Sequence, residues 1–209
     1  MGTMKRARKV FFLSVIVLVI SAFMVGGVFA AEAKKGTPKQ VDIEALSEIK
    51  NPNAEFKVEL RVDKEDANYK VGDEVKFFFK TDRDCRLTLL NVATSGQVMI
   101  LFPNEYQKDN KVTAGSEYKI PAEGAKFVFR AKGPAGKDVI KAIATLEPIE
   151  VVKPADTETP KGAAKGGFKV VKKRAKDVAI EIKNTFQPLD PKTWAEAEKT
   201  ITIEPKAKE

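Results

Sequence analysis

The polar residues best placed to do chemistry follow an apolar run near the middle of the chain. Asn104 and Glu105 come directly after Leu-Phe-Pro, and Asp109 and Asn110 follow a few residues later. Amide and carboxylate oxygens that converge in one loop could hold a Ca²⁺ ion or the hydroxyl groups of a glycan. The same side chains commonly accept hydrogen bonds from nearby backbone N–H groups and shape a turn. Because calcium sites usually carry more carboxylates at closer spacing, we expect these side chains to be structural and predict no metal site.

The chain has no histidine and a single cysteine, Cys85. Histidine is the commonest general base and a frequent zinc ligand, so its absence removes both kinds of site. A lone cysteine is either a small buried side chain or the partner of a second chain in a disulfide, and as a nucleophile it would lack an activating base. We therefore predict a protein that is not an enzyme and has no catalytic residue and no cofactor. A hydrolase that uses carboxylates alone ranks last, because no carboxylate spacing supports it.

Gly133, Pro134 and Gly136 lie in the sequence Gly-Pro-Ala-Gly. This composition is typical of a tight turn between two strands. The alternative is a small anion-binding nest made of backbone N–H groups. We expect the turn.

A basic segment, residues 161–176, contains no acidic residue. Such a segment is usually a solvated loop or an edge strand protected by lysine, but it could also bind an anionic envelope polymer or lipid headgroups. One aromatic residue is too few for a platform that stacks nucleic-acid bases, so we expect no nucleic acid as partner. The basic residues are Lys161, Lys165, Lys169, Lys172, Lys173, Arg174 and Lys176.

The N-terminus has the order of an export signal. Basic residues at 5–9 precede an apolar run at 10–25, and Val28 and Ala30 supply a cleavage site after residue 30. Cleavage there would remove four basic residues and lower the net charge from +8 to +4. The alternative is an uncleaved anchor, because residues 10–31 are long enough to span a bilayer. We predict an exported protein, periplasmic or extracellular, with membrane anchoring as the alternative.

The rest of the chain shows strand periodicity at short intervals, separated by turn residues. Alternating apolar residues at 56–62 and 75–79 predict half-buried strands, and residues 86–92 and 96–102 predict a hairpin. Helical spacing at 41–49 predicts one short helix, and an Asp-Pro start predicts another at 192–199. Further strands are predicted at 118–121, 126–131, 138–146, 168–171, 178–182 and 200–203.

The predicted hairpin is apolar on both faces. Leu89 and Leu90 are adjacent, as are Ile100 and Leu101, so large apolar groups point to both sides of the sheet. A sandwich strand normally has one wet face, so another element must cover the second face. We expect the chain itself to supply that cover, through the helix at 41–49 or the one at 192–199, with a partner protein as the alternative.

Several short motifs together resemble the bacterial family known as domain of unknown function 4384, over about residues 55–150. They are Tyr69-Lys70-Val71-Gly72-Asp73, residues 87–91, Gly96-Gln97-Val98, Leu101-Phe102-Pro103-Asn104, Asp109-Asn110, Val112, Ala114-Gly115 and Gly133-Pro134-Ala135-Gly136. The resemblance implies an exported or surface-exposed accessory module, since such domains also occur fused to caspase-like peptidases or protein kinases. It carries no catalytic residue, because the family has no assigned activity. The chain departs from the pattern at Cys85, where a small residue is expected, and in its basic C-terminal part.

These observations predict an all-β fold, an antiparallel β-sandwich (Ig-like or jelly-roll-like) with one or two short peripheral helices and an N-terminal hydrophobic helix. The predicted function is a non-catalytic module that binds an unidentified envelope component or protein partner. The alternative is a structural or assembly protein anchored in the membrane. The predicted parts are a signal peptide or anchor at 1–30, a lead-in at 31–54, the core at 55–150, a basic linker at 151–176, and returning strands with a short helix at 177–205.

Overall fold

The computed structural model describes residues 38–160 and 168–206, with side chains from residue 43 onward. The predicted export segment and residues 161–167 of the basic segment lie outside the described residues. The described helices are α1 (Pro38–Ser47) and α2 (Ala175–Phe186), with short 3-10 turns at Pro154–Asp156 and Pro191–Thr193. The described strands are β1 (Val58–Val62), β2 (Asn68–Lys70), β3 (Glu74–Val75), β4 (Phe77–Thr81), β5 (Cys85–Val92), β6 (Gln97–Phe102), β7 (Lys111–Val112), β8 (Glu117–Ile120), β9 (Phe129–Arg130), β10 (Gly136–Thr145), β11 (Thr157–Glu158), β12 (Lys169–Arg174) and β13 (Trp194–Glu204).

A large sheet with the strand order β11-β12-β6-β5-β10-β13-β2 forms the centre of the protein, and β7 also pairs with β5. Neighbouring strands are antiparallel except for β13 and β2, which run parallel. The predicted hairpin is confirmed as β5 and β6. Its turn is closed by a hydrogen bond from the Ala93 N–H to the Gln97 carbonyl, 2.9 Å, and Gly96 supplies the positive φ of 80° that the turn requires.

One face of the large sheet, here called the inner face, packs against two smaller sheets. These are β1-β4-β8 and the pair β3-β9. Alternation along β4 buries Phe77 and Phe79, whereas Phe78 between them lies under the guanidinium of Arg61, 3.8 Å from the ring centroid. Leu89 of β5 and Leu101 of β6 meet these rings from the large sheet. This layer is the sandwich that the period-two pattern predicts.

The opposite face, here called the helix face, is covered by α1 and α2. Leu90 and Val98 of the central hairpin pack here against Leu46, which extends from α1, and Ile182 of α2. The prediction that the chain's own segments cover this face is confirmed. The helix predicted at 41–49 supplies part of that cover, and α1 begins earlier than predicted, at Pro38.

The strand predicted at residues 178–182 is wrong, because this segment belongs to α2. Val178 and Ile182 belong to a short run with β-branched residues at every second position, which favoured a strand. They also share helical spacing with Ala175, Ala179 and Phe186, and all five are buried on one side of α2. An exposed apolar side chain, Ile180, lies on the other side. The helical pattern therefore describes the burial of every apolar residue in the segment, and the alternating pattern does not.

The helix predicted at 192–199 is also wrong. Asp190 does accept a hydrogen bond from the Lys192 N–H, 3.0 Å, as expected for a helix cap. The turn that it starts ends at Thr193, and Trp194 opens the long strand β13. Ladder pairing with β10 over ten residue pairs, from Gly136–Ile203 to Thr145–Trp194, outweighs the weak local preference for helix.

The predicted linker at 151–176 contains structure. It holds β11 and β12, and β12 extends the large sheet by pairing with β6. The strand predicted at 126–131 is shorter than expected and consists of Phe129 and Arg130. Across the described ranges the protein is built mostly from strands with a few short helices, which confirms the predicted fold class.

Candidate functional site

Asn104 fixes the loop that follows β6. Its side chain is buried, and its Nδ2 donates to the Leu101 carbonyl at 2.8 Å. Its Oδ1 accepts hydrogen bonds from the backbone N–H groups of Tyr106 and Gln107, each at 2.9 Å. These three bonds use the amide oxygen twice and one of the two N–H donors, and they hold the loop against the end of the strand.

The other polar residues of the loop also have local partners. Asp109 Oδ1 accepts from the Lys111 N–H at 3.1 Å, and Asn110 Oδ1 accepts from the Arg86 guanidinium at 3.1 Å. Glu105 is exposed. In the part of the chain that the structure describes, no group of three or more His, Cys, Asp or Glu side chains could hold a metal ion.

The loop forms one wall of a cavity of about 500 Å³ on the helix face, here called the motif cleft. Thr88 of β5 and Ile100 of β6 form its floor, and residues 149–152 form the opposite wall. Asp109 is not among the lining residues, so the cleft combines only part of the predicted group. Its other lining residues are Pro103, Asn104, Glu105, Lys108, Asn110, Pro154, Thr157 and Lys169.

The Gly-Pro-Ala-Gly turn precedes β10 and meets the turn of the central hairpin. Gly136 has a φ of 148°, and a β-carbon at this position would overlap the side chain of Thr94. Thr94 in turn donates its hydroxyl to the Lys137 carbonyl at 2.9 Å. Glycine is needed at 136 both for the backbone conformation and for this close approach.

Cys85 lies at the start of β5 and is 6% exposed. Burial raises the pKa of its thiol, so the sulfur stays protonated at neutral pH. A protonated, buried thiol is a poor nucleophile and has little access to a second chain.

The basic segment divides between different elements. Lys169, Lys172 and Lys173 lie on β12, and Lys176 lies in α2. The Lys173 ammonium donates to Asp156 at 2.8 Å and also to Glu181. The described part of the segment is therefore not a continuous array of unpaired charges.

Sequence reasoning missed two buried charged groups on β10. On the helix face, Lys141 has no exposed side-chain surface and donates to Glu196 at 2.6 Å and to Glu198 at 3.4 Å. Lys50 lies 3.9 Å and 3.8 Å from the same two carboxylates, and the Ser47 hydroxyl donates to Glu198 at 3.0 Å. We call Lys50, Lys141, Glu196 and Glu198 the ion cluster.

On the inner face of β10, Asp138 lines a second cavity, of about 270 Å³, here called the sandwich cleft. The cleft lies between the large sheet and the pair β3-β9. The signal for both buried charges was present in the sequence, since Asp138 and Lys141 interrupt an otherwise apolar predicted strand. Alternation alone could not show that either residue would be covered.

A row of contacting aromatic rings connects the sandwich cleft with the loop after β6, residues 103–110, here called the motif loop. Tyr106, which is 51% exposed, stacks on Phe127 with 4.5 Å between ring centroids. Phe127 lies 5.0 Å from Phe168, and Phe168 lies 4.6 Å from Phe129, which lines the cleft. These contacts hold the start of β12 and the outer pair β3-β9 together.

Comparison with known proteins gives one family. A family model described as "Domain of unknown function (DUF4384)" matches residues 68–148. No curated protein and no solved structure matches the chain. None of the described helices is both long and apolar enough to cross a membrane. The matched stretch runs from β2 to just beyond β10 and includes the central hairpin, the motif loop and the Gly-Pro-Ala-Gly turn. Residues 68–148 therefore belong to the DUF4384 family of domains of unknown function.

Proposed function

We propose that this chain is an exported, non-catalytic binding module of the cell envelope, and that its motif cleft holds a segment of another envelope protein. The observation that carries the proposal is the fixed geometry of the cleft. The three hydrogen bonds of the buried Asn104 amide hold one wall in place before any ligand arrives. A preformed site loses less conformational entropy on binding than a mobile loop would.

The lining of the cleft suits a protein segment. Ile100, Val151 and Val152 offer aliphatic surface, whereas the charged lining residues have both signs. Glu105 and Glu150 are exposed, as are Lys108 and Lys169. An apolar interior bordered by polar groups of both charges is the usual composition of a protein interface.

A binding role agrees with the available side-chain chemistry. The chain has no histidine to act as a base, and burial keeps the Cys85 thiol protonated. Asn104 and Asp109 of the motif loop are engaged in hydrogen bonds with nearby backbone groups. Export is supported by the order of basic, apolar and small residues within residues 1–30.

Site-specific photo-crosslinking in the producing cells tests the binding site. A photoreactive phenylalanine analogue replaces Val152, which lines the cleft, in the full chain. The matched control carries the same analogue at Glu123, an exposed residue outside the cleft. We expect a discrete protein adduct from position 152 that is absent from position 123 and is weakened by Lys169→Glu. Equal labelling at both positions, or no adduct at 152, would contradict the proposal.

N-terminal sequencing of the protein from fractionated cells tests export. A periplasmic or extracellular protein that starts at Ala31 supports the proposal. A membrane-bound protein that retains residues 1–30 would favour the alternative of an anchored structural or assembly protein. Full-length protein in the cytosol would exclude both.

A further inference from the structure

The sandwich cleft contains a buried carboxylate, Asp138, without a positive partner among the residues that the structure describes. Asp138 is 6% exposed, and its Oδ1 accepts hydrogen bonds from the backbone N–H of Thr94 at 2.7 Å and from the Thr94 hydroxyl at 3.0 Å. Its Oδ2 accepts a long bond from Asn91 Nδ2 at 3.5 Å. All these donors are neutral, and Asp138 forms no ion pair with any residue that the structure describes. A buried charge without a counter-charge is costly.

The neighbouring amide of Asn91 contains an acceptor without a partner among the described residues. Asn91 also lines the cleft, and its Oδ1 is buried without a hydrogen-bond partner among the described residues. A buried acceptor left unpaired costs about 1–3 kcal/mol. The inner end of the cleft therefore holds a carboxylate oxygen, Asp138 Oδ2, whose printed hydrogen bond is long, next to an amide whose own oxygen has no partner among the described residues.

The remaining lining is apolar and aromatic, with positive charge at exposed positions. Met99, Phe129, Phe168 and Val170 supply carbon surface. Arg130 is already paired with Glu74 at 2.9 Å. Lys132 is exposed and has no ion-pair partner in the described ranges, so among the described lining residues it can supply a positive charge at the mouth. A volume of about 270 Å³ lies just below the range of roughly 300–1,000 Å³ that is usual for small-molecule sites.

We propose that the sandwich cleft is a binding site for small amino carboxylates, with the ammonium group paired to Asp138 at the inner end, the apolar chain between the sheets, and the carboxylate near Lys132. The ammonium group supplies three donors and the positive charge that the Asp138 carboxylate lacks among the described residues. Burial raises the pKa of Asp138 in the free protein, and a bound cation would reverse this effect.

This site is separate from the motif cleft. Neighbouring residues of β6 point to opposite faces of the sheet, so Ile100 lines the motif cleft and Met99 lines the sandwich cleft. The two cavities share no lining residue. Either proposal can therefore fail without the other, and Lys169→Glu in the motif cleft should leave ligand binding in the sandwich cleft unchanged.

Isothermal titration of the full chain with three matched compounds provides the first test. The probes are 6-aminohexanoate, hexylamine and hexanoate, which have the same chain length and differ only in their charged ends. We expect 6-aminohexanoate to bind most tightly, hexylamine more weakly and hexanoate least. Binding of hexanoate as tight as that of 6-aminohexanoate, or no heat with any probe, would overturn the proposal. This comparison requires no variant and so does not depend on how a variant folds.

Two variants locate the ends of the ligand. Asp138→Asn should weaken 6-aminohexanoate at least about tenfold, because it removes a charge-assisted bond. The control Asp109→Asn removes an exposed carboxylate outside the cleft and should have no effect. Lys132→Glu should weaken 6-aminohexanoate but not hexylamine. Equal affinities in Asp138→Asn and Asp109→Asn would overturn the site, and an unchanged affinity in Lys132→Glu would overturn the placement of the carboxylate.

Discussion

Asp138 and Lys141 lie on the same strand, β10, and both are buried, yet they have different surroundings. Lys141, on the helix face, meets two carboxylates and a second lysine in the ion cluster. Asp138, on the inner face, accepts hydrogen bonds from neutral donors alone in the part of the chain that the structure describes. Burial disfavours the charged form of both: it raises the pKa of Asp138, and it lowers the pKa of Lys141 against the opposing effect of Glu196 and Glu198. Within the described ranges, the charge of Lys141 is therefore balanced by carboxylates, whereas the charge of Asp138 has no counter-charge.

Removing Lys141, the buried cation of the ion cluster, should have the largest effect on the free energy of unfolding. Lys141→Met leaves Lys50 as the remaining cation of the ion cluster beside the half-buried carboxylates of Glu196 and Glu198. We expect the free energy of unfolding to fall by about 3–5 kcal/mol, as when one member of a buried ion pair is deleted. Urea unfolding at neutral pH measures this loss. Lys141→Met combined with Glu196→Leu should recover part of it, and strictly additive losses would show that the ion cluster is not a coupled unit.

Weakening the packing of α2 on the helix face should have the second-largest effect on the free energy of unfolding. Ile182 of α2 is buried on this face, and Ile180 of the same helix is 47% exposed. Ile182→Ala should lower the free energy of unfolding by about 3 kcal/mol through lost burial and a residual cavity. The matched Ile180→Ala should change it by less than about 0.5 kcal/mol. Similar small effects at both positions would show that α2 is only loosely docked on the sheet.

Replacing Asp138 by a neutral residue should change the free energy of unfolding in the opposite direction. In Asp138→Asn the amide oxygen still accepts both bonds from Thr94, and its NH₂ group can donate to Asn91 Oδ1 once that amide turns over. At pH 7, in the absence of ligand, we expect the free energy of unfolding to rise by about 1 kcal/mol, the scale of one hydrogen bond. Thermal and urea unfolding of the two proteins test this sign. A clear loss of stability would show that the fold requires the Asp138 charge.

The effect of Asp138 should also depend on pH. A folded-state pKa above the ordinary value of 3.8 means that the folded protein holds this proton more tightly than the unfolded chain. The resulting stabilisation is complete below pH 3.8 and is lost as the pH rises through the folded-state pKa. The advantage of Asp138→Asn over the parent protein should therefore be smallest at acid pH and grow towards neutrality. A stability difference that stays constant with pH would contradict the raised pKa.

Local pattern was enough to predict the central hairpin and much of the motif loop. Residues 86–102 combine β-branched and aliphatic runs with a glycine turn, and the Asn and Asp residues that follow have short-range partners. The sequence pattern failed at 178–182, where alternation and helical spacing coexist. Only packing against Leu90 and Val98 determines which pattern is used.

The motif cleft and the sandwich cleft were less predictable because, like the conformation of residues 178–182, they depend on packing between distant segments of the chain. One wall of the motif cleft comes from residues 149–152, which span the predicted boundary between core and linker at residue 150 and acquire their position through packing on the sheet. Asp138 and Lys141 were visible as charges in a strand, but their partners come from distant segments. Glu196 and Thr94 reach β10 only through the pairing of β13 and the hairpin turn with it.

The position of β13 has a consequence for the time at which the fold can be completed. This strand is synthesised after every other described strand, yet it lies between β10 and β2 in the large sheet. Its parallel pairing with β2 joins Thr202 to Asn68, residues far apart along the chain. Contacts of such long sequence separation form slowly. The nascent chain must therefore keep β2 and the open edge of β10 unpaired until almost all of the described sequence has left the ribosome, which lengthens the interval in which a chaperone can engage it.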